Sequence, residues 1–367
     1  MTDDLSKALA SVRADIDRID GELLKLLNER ARCAQKVGEI KAAHGEGGHI
    51  YRPEREAQVL RRLQEANPGP LPGEDITFFF REVMSACLSL EQPLAIAFLG
   101  PLGTFSESAA TRHFGHAARL QPQSSIDDVF REVESGHAHY AVAPVENSTE
   151  GAVGRTMDLL LGTPLKICGE VVLRIHQNLL SRETDLSAIR RVYSHAQSLA
   201  QCHEWLNRML PAAQRISVGS NAEAARLAAD KEGTAAGAAA IAGAAAAARY
   251  DLPKLAENIE DEPNNTTRFL VLGPHDAGPS GRDKTSLIMS APNRTGALHE
   301  LLLSFSEAGV SMSRLESRPT RNTLWEYLFY VDVEGHREDA AVKRALDELG
   351  RRAAYLKILG SYPVAVY

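Results

Sequence analysis

An arginine interrupts an oily helical stripe near the start of the chain. Leu9, Val12, Ile16, Ile19, Leu23 and Leu26 recur at spacings of three and four, and Arg30 follows on the same seam. A charge buried there without a partner costs several kcal/mol, so Arg30 predicts a ligand or a carboxylate opposite it. Lys41 lies eleven residues further on, about 1,100° of rotation and so within roughly 20° of the same face. The two are about 16 Å apart along the axis, a span over which long side chains can meet a small dianion. Arg13 is about 25 Å from Arg30 and could share that ligand only from a partner chain. Glu56 and Glu91 could complete a polar pocket. Solvated surface charge is the competing reading, since it accounts for most Arg and Lys residues. It is favoured for Arg13 and Lys41 taken alone, but not for Arg30.

A second set of residues sits in turns that follow short apolar runs. GPLGTFSESAA places Gly100 and Gly103 in a tight turn, with Thr104 and Ser106 able to cap a helix whose free N–H groups favour an anion. PVENSTEG offers Glu146, Asn147 and Ser148; SHAQSLAQC offers Ser194, His195 and Gln197. SNAEAA holds Ser220 and Glu223 as a capping box, and NNTTRF carries Thr267 and Arg268 at a strand start. Each turn alone reads as a capped helix, and that reading is kept for Ser106 and Ser220. Five together are more telling, because strand ends in open α/β sheets gather ligands in one crevice. None matches a nucleotide-binding loop.

Three segments with different periods must position these groups. Residues 1–92 read as helix only. The first helix runs about 37 residues until Gly45, Gly47 and Gly48, the second from Pro53 to about Ala66, and the third from about Glu74 to Glu91 with Ile76, Phe80, Val83, Cys87 and Leu90 inward. Two shorter helices cannot cover the long stripe, which predicts an intertwined homodimer; an ordinary coiled-coil dimeriser is the alternative. Residues 93–273 alternate apolar runs (LAIAFLG, YAVAPVE, RRVYSH, RISVGS, TRFLVLG) with helical stretches, an α/β pattern. The Ala-rich stretch from Thr234 to Arg249 reads as a helix. HDAGPSGRDK reads as a linker. Residues 284–367 then follow the order βαββαβ of a ferredoxin-like domain: KTSLIMSA, a helix from Gly296 to Gly309, VSMSRLESRP, a turn at Thr320–Asn322, TLWEYLFYVDV, a helix from Glu338 to Leu349, and AAYLKILGSYPV.

Composition narrows the function classes. A net charge of −7 argues against nucleic acid as a partner. Cys33, Cys87, Cys168 and Cys202 form no CxxC pair, which disfavours a metal centre and fits a reducing compartment. No run approaches the roughly 18 apolar residues of a membrane span, and MTDDLSKALA lacks the apolar core of a signal peptide. A cytoplasmic protein is expected.

The motifs also carry resemblances. LASVRADIDRIDGELLKLLNERARCAQKVGEIKAAH and YRPEREAQVL resemble the all-helical chorismate mutases. That likeness implies that Arg30 and Lys41 bind substrate in their own site, that Arg13 reaches the partner's site, and that Arg55 and Glu56 contact substrate. The reaction is pericyclic, so it needs no nucleophile, base or metal; catalysis comes from holding a folded dianion and donating hydrogen bonds to the ether oxygen. Lys41 and Glu91 are the implied donors. Gln is frequent at the Glu91 position, so Glu91 must be protonated to donate. Cys87 stands where Ser is common, and Arg52 where some members carry an acid.

GPLGTFSESAA, PVENSTEG, SHAQSLAQC and NTTRF resemble prephenate dehydratases, in order, across the middle segment. The likeness implies two subdomains similar to periplasmic binding proteins, with Asn147, Ser148, Ser194 and Gln197 lining the cleft between them. Thr267 would assist departure of the ring hydroxyl, and Arg268 would bind a carboxylate or position the site. Glu146 is a candidate acid that the resemblance does not assign. GALHELLLSF and ESRP resemble the ACT regulatory domain, implying an L-phenylalanine pocket at Gly296, Ala297, Leu298, Glu316, Ser317, Arg318 and Pro319, with His299 where Val is frequent. Chorismate and prephenate are the implied substrates, phenylpyruvate the product, and no cofactor is implied. The rival readings are an arogenate dehydratase and a non-catalytic ligand sensor.

Overall fold

The computed structural model describes residues 2–44, 51–230, 236–292, 294–319 and 327–366. Its N-terminal unit has three helices: α1 (Thr2–Ala43), α2 (Pro53–Ala66) and α3 (Gly73–Ser89). Pro53 opens α2, where its missing N–H costs no helical bond. α1 is 42 residues long and packs on α3. Gly45, Gly47 and Gly48, expected to stop it, lie outside the described residues. Its apolar stripe is uncovered in the single chain: Leu9 is 46% exposed, Leu23 52% and Leu26 59%. On α3, Cys87 is buried and Ile76, Phe80 and Val83 are half-buried, as expected. Leu90 is not inward. The helix ends at Ser89, which leaves Leu90 exposed on the cap.

The middle segment folds as two lobes. Lobe one contains β1 (Ala95–Leu99), α4 (Phe105–Phe114), β2 (Arg119–Gln123), α5 (Ile126–Glu134), β3 (Tyr140–Asn147), β4 (Gly151–Ala152), α6 (Gly154–Gly162) and β5 (Lys166–Arg174). Lobe two contains β6 (Asn178–Leu180), β7 (Arg191–Ser194), α7 (Ala196–Gln201), α8 (His203–Met209), β8 (Gln214–Ser217), α9 (Asn221–Ala229), β9 (Ala238–Ala242), α10 (Ala244–Tyr250) and β10 (Lys254–Ala256). The chain then returns to lobe one as β11 (Thr266–Gly273), which runs antiparallel between β3 and β5. The sheet orders are β2-β1-β3-β11-β5 and β10-β6-β9-β7-β8. The chain thus crosses between the lobes twice, and the crossings are tied together by Ile175 N–H donating to Asn265 O and Ile259 N–H to Gln177 O, both at 2.8 Å.

The Ala-rich stretch is corrected. Ala238–Ala242 is a strand, and only from Ala244 is the chain helical. All five strand residues are buried, hemmed by β6 and β7 on either side. A strand buried on both faces shows no two-residue alternation, so its composition misleads. Thr234 lies outside the described residues.

The C-terminal unit is β12 (Asp283–Ser290), α11 (Ala297–Ala308), β13 (Met312–Pro319), β14 (Tyr327–Glu334), α12 (Ala340–Arg352) and β15 (Tyr355–Pro363). The expected βαββαβ order holds, in an antiparallel sheet ordered β13-β14-β12-β15. The turn at Thr320–Asn322 lies outside the described residues. α11 and α12 cover one sheet face with Leu301, Phe305, Val342 and Leu349. The other face joins lobe one: Ile288, Leu328, Tyr330, Leu359 and Tyr362 share a core with Val145, Met157 and Ile167. The segment read as a linker is pinned rather than free. Arg61 of α2 donates to Ser280 Oγ at 3.0 Å, to Arg282 O at 2.9 Å and to Val364 O at 3.0 Å.

Gly360 of β15 marks how closely the C-terminal sheet approaches lobe one. A Cβ there would sit 2.2 Å from Ile167 O, a backbone atom that cannot move aside. Gly360→Ala is expected to cost at least about 2 kcal/mol by overpacking, read as a lower urea midpoint. An unchanged midpoint would show that the two sheets are not held at this distance.

Candidate functional site

The cleft between the lobes has a volume of about 930 Å³. Its lobe-one wall carries the Gly100–Ser106 turn, Asn147 and Thr267; its lobe-two wall carries His195, Gln197, Ser220, Asn221 and Arg249. The N-termini of α4 and α9 open onto it, capped by Thr104 and Ser220. Their partial positive ends favour a negatively charged ligand. Thr104, not Ser106, is the cap of α4; Ser106 sits inside the first turn and faces the cleft. Glu223 N–H donates to Ser220 Oγ at 3.0 Å, the expected cap, while the Glu223 carboxylate accepts from Gly219 N–H.

Asn147 and Thr267 form the chemical centre of this cleft. They are direct cross-strand partners of β3 and β11. Asn147 Oδ1 accepts from Thr149 and Glu150 N–H, both at 3.1 Å, which fixes the amide and aims Nδ2 at Thr267 Oγ1 at 2.9 Å. Thr267 therefore accepts, and among the described residues no acceptor takes its own hydroxyl proton.

A chain of amide hydrogen bonds extends from this pair across the cleft floor. Asn147 Nδ2 also donates to Asn265 Oδ1 at 2.8 Å, and Asn265 Nδ2 to Gln201 Oε1 at 3.0 Å. Gln177 Nε2 reaches Gln201 Oε1 and Ser198 Oγ, which accepts from Asn221 Nδ2 at 2.8 Å. The floor thus connects Thr267 in lobe one to Asn221 in lobe two. Gln177 Oε1 is buried there without a hydrogen-bond donor. Gln177, Gln201, Asn221 and Asn265 were not singled out from the sequence. Gln201, Asn221 and Asn265 lie within SHAQSLAQC, SNAEAA and NNTTRF, but nothing in their spacing marks them as meeting.

Several expected cleft residues lie elsewhere. Ser194 is fully buried behind the wall, its Oγ 2.9 Å from both Asn221 Oδ1 and Ile241 O, so it braces Asn221. Ser148 pins the start of β11, its Oγ accepting from Thr266 N–H at 2.9 Å. Arg268 and Glu146 are turned to the opposite side of the sheet, because successive residues of a strand alternate faces. Arg268 pairs there with Glu170 at 2.9 Å and Asp332 at 2.6 Å, and Glu146 with Arg314 at 2.9 Å. Burial alone would lower the Arg268 pKa, but Tyr362, Asp332 and Glu170 outweigh it and hold it above its ordinary value. Arg268 thus reaches no ligand in the cleft, and Glu146 is excluded as its acid.

The helical candidates are spread out in one chain. Glu91 packs on Gly38, where a Cβ would lie 3.0 Å from Glu91 Cγ, and Gly38 is one turn from Lys41. Arg30 and Lys41 are half-buried, Arg13 and Arg55 exposed, Cys87 buried. Among the described residues, Arg30 and Lys41 have no carboxylate partner. In the C-terminal unit, Gly296 caps α11 with φ 79°, followed by buried Ala297 and half-buried Leu298. Ser317 and Pro319 are exposed and Glu316 half-buried on the edge strand β13. Arg318 is committed to lobe one, where Nη2 meets Asp158 at 3.0 Å.

Glu56 meets Arg81 of α3 at 3.5 Å rather than Arg30 or Lys41, and Arg81 Nη2 donates to Val366 O at 3.0 Å. Tyr51, His113 and the chain end complete this pocket. Burial lowers the His113 pKa to about 3, assisted by Arg81. Burial raises that of Glu56 from 4.5 to about 7, against the pull of Arg81. A carboxyl with a raised folded pKa contributes stability fully below the unfolded value, which is lost as pH rises through the folded one. The native state should therefore weaken between about pH 4.5 and pH 7 through Glu56. Glu56→Gln removes that titration. Its thermal midpoint is expected to match wild type near pH 5 and to exceed it by a few degrees at pH 8; the same difference at both pH values would contradict this.

Comparison with known proteins agrees with all three units. The family model for chorismate mutase type II matches residues 12–92, that for prephenate dehydratase residues 96–277, and that for the ACT domain residues 285–351. A bifunctional chorismate mutase/prephenate dehydratase of Neisseria gonorrhoeae is 57% identical over 100% of both chains. One from Pseudomonas aeruginosa is 50% identical over 98% of each. A prephenate dehydratase from Arthrobacter aurescens, solved in complex with L-Phe, superposes with a TM-score of 0.67 at 35% identity, covering 74% of this chain and 90% of that one. No described helix is long and apolar enough to cross a membrane. With its helical N-terminal unit, its two-lobed cleft built on the Asn147–Thr267 pair and its C-terminal βαββαβ unit, the chain belongs to the family of bifunctional chorismate mutase/prephenate dehydratases with an ACT domain.

Proposed function

We propose that the chain rearranges chorismate to prephenate in the helical unit, residues 1–92, and converts prephenate to phenylpyruvate in the cleft of residues 93–273. We assign residues 284–367 to feedback inhibition by L-phenylalanine, and the whole to phenylalanine synthesis in the cytoplasm. The observation that carries the reading is the Asn147–Thr267 pair, in which Thr267 Oγ1 accepts from Asn147 and lines a cleft flanked by two helix N-termini.

In the cleft, the helix ends of α4 and α9, with Arg226 and Arg249 on the rim, favour the prephenate dianion. Gln197 lines the wall, and Asn147 orients Thr267. Thr267 donates to the ring hydroxyl. As the bond from ring to carboxylate breaks, its electrons move into the ring and the C–O bond opens. Carbon dioxide leaves, the hydroxyl departs as water with the proton supplied through Thr267, and solvent returns a proton to Thr267. Aromatisation supplies the drive, so weak proton donation suffices.

In the helical unit, Arg30, Lys41, Arg55, Glu56, Cys87 and Glu91 take the substrate-binding roles implied by their motifs. Arg13 would come from the partner in a homodimer, which the uncovered stripe of α1 supports. Lys41 donates to the ether oxygen, and Glu91 takes the second donor position that its motif implies. Reorientation of Glu56 away from Arg81 would accompany that assembly. Gly296–Leu298 and the Glu316–Pro319 strand would hold L-phenylalanine between two copies of the C-terminal unit.

The test is an assay of the purified protein on chorismate and on prephenate, with and without L-phenylalanine. Phenylpyruvate should form from both substrates, and less of it with L-phenylalanine present. Thr267→Ala should lower phenylpyruvate formation by roughly 10²–10⁴-fold while chorismate is still consumed. Retained dehydration in Thr267→Ala would remove this residue from the mechanism.

A further inference from the structure

The face of lobe one opposite the cleft is not passive. Thr267 pairs across the strands with Asn147, and the next pair along is Arg268 with Glu146. Alternation therefore mounts the cleft pair and a charged pair on the same two strands, one residue apart and on opposite faces. The charged pair and Glu170 of β5, which bonds Arg268, are gripped by the C-terminal sheet, and every strand of that sheet contributes a group. From β12, Lys284 Nζ bonds both oxygens of Glu170, at 2.8 and 2.9 Å. From β13, Arg314 Nε lies 2.9 Å from Glu146 Oε2. From β14, Asp332 takes Arg268 Nη1 at 2.6 Å. From β15, Tyr362 Oη accepts from Arg268 Nη2 at 2.8 Å.

Two features make this more than surface pairing. Arg268, Lys284, Glu170 and Asp332 balance in charge, and both carboxylates are 4% exposed. Removing one member strands a buried charge, so the set behaves as a unit. The Arg314 contact differs. Its Nε satisfies the ion-pair distance without an aligned hydrogen bond, and its Nη2 is buried with no hydrogen-bond partner. Arg314 and Arg318 lie on β13, the edge strand that also carries Glu316, Ser317 and Pro319.

We propose that Glu146 joins Arg268 as a positioning residue for dehydration, Arg268 taking the second of the two roles its motif implies, and that the C-terminal sheet acts on the cleft through both. Held by Asp332 and Arg314, they fix β11 against β3, and with them the Asn147–Thr267 hydrogen bond; a shift of β13 and β14 reaches Thr267 through these pairs. The proposal rests on the reading that Thr267 acts in dehydration. Regulation by the C-terminal unit would then require no contact between its ligand and the cleft.

The test uses the full-length protein with Asp332→Asn and Glu146→Gln, which keep size and remove charge. Glu146 is the milder site, its side chain being 38% exposed, and covers the case in which Asp332→Asn fails to fold. Prephenate turnover, KM, chorismate consumption and the L-phenylalanine response are measured together. Each variant is expected to lower dehydratase kcat about tenfold, to leave KM within about twofold and chorismate consumption unchanged, and to blunt the L-phenylalanine response. A merely structural clasp would lower the thermal midpoint and leave kcat and the response as in wild type, which would overturn the proposal. Thr267→Ala, run in parallel, separates the two claims. If it keeps dehydrating, the underlying reading fails; if it stops while Asp332→Asn and Glu146→Gln turn over normally, only the positioning claim falls.

Discussion

One strand serves two interfaces. Because side chains alternate along β11, Thr267 is committed to the cleft and Arg268 to the C-terminal sheet. Neither can be re-aimed without slipping the register against β3 and β5, and a one-residue slip would exchange their faces. The cleft is therefore built on a strand whose back is held by a different unit. The shared core of Tyr330, Leu359 and Tyr362 with Met157 and Ile167 reinforces this. Removing the C-terminal unit would take Asp332 and Tyr362 from Arg268, Lys284 from Glu170 and Arg314 from Glu146, so truncation disturbs the back of the cleft strands as well as removing the ACT domain.

The helical unit obeys a contrasting constraint. Lobe one and the C-terminal sheet satisfy each other within the chain, whereas α1 leaves Leu9, Leu23 and Leu26 in water. Arg30 and Lys41 on the same helix find no carboxylate among the described residues. An oily stripe of this length and two unpaired half-buried cations ask for the same thing, a surface and a ligand that one chain does not supply. Meanwhile Glu56 is occupied by Arg81, whose Nη2 also donates to Val366 O and so couples the helical unit to the far end of the C-terminal one.

Much of the fold was legible because periodicity reports burial. The stripe of α1, Pro53 at the start of α2 and the βαββαβ order all follow from local pattern. The Ala238–Ala242 strand was not, since a strand buried on both faces loses the alternation that identifies it. HDAGPSGRDK looked like a spacer because composition cannot show that Arg61 pins it. At the site, Asn147 and Thr267 were legible as polar groups at strand ends. Of the two roles open to Arg268, carboxylate binding in the cleft does not fit its place on the opposite face, because strand geometry sends neighbours apart, while positioning of the site does. Ser194 looked like a wall residue and is a brace. Gln177, Gln201 and Asn265 are distant in sequence and meet only where the chain crosses twice between the lobes, which no local pattern can reveal.

Hydrogen–deuterium exchange with and without L-phenylalanine reports most directly on whether β11 joins the cleft to the C-terminal sheet. If it does, amides of residues 266–269 and 145–147 change protection together with those of β13 and β14. Changes confined to residues 284–366, with β3 and β11 unaltered, would contradict the account.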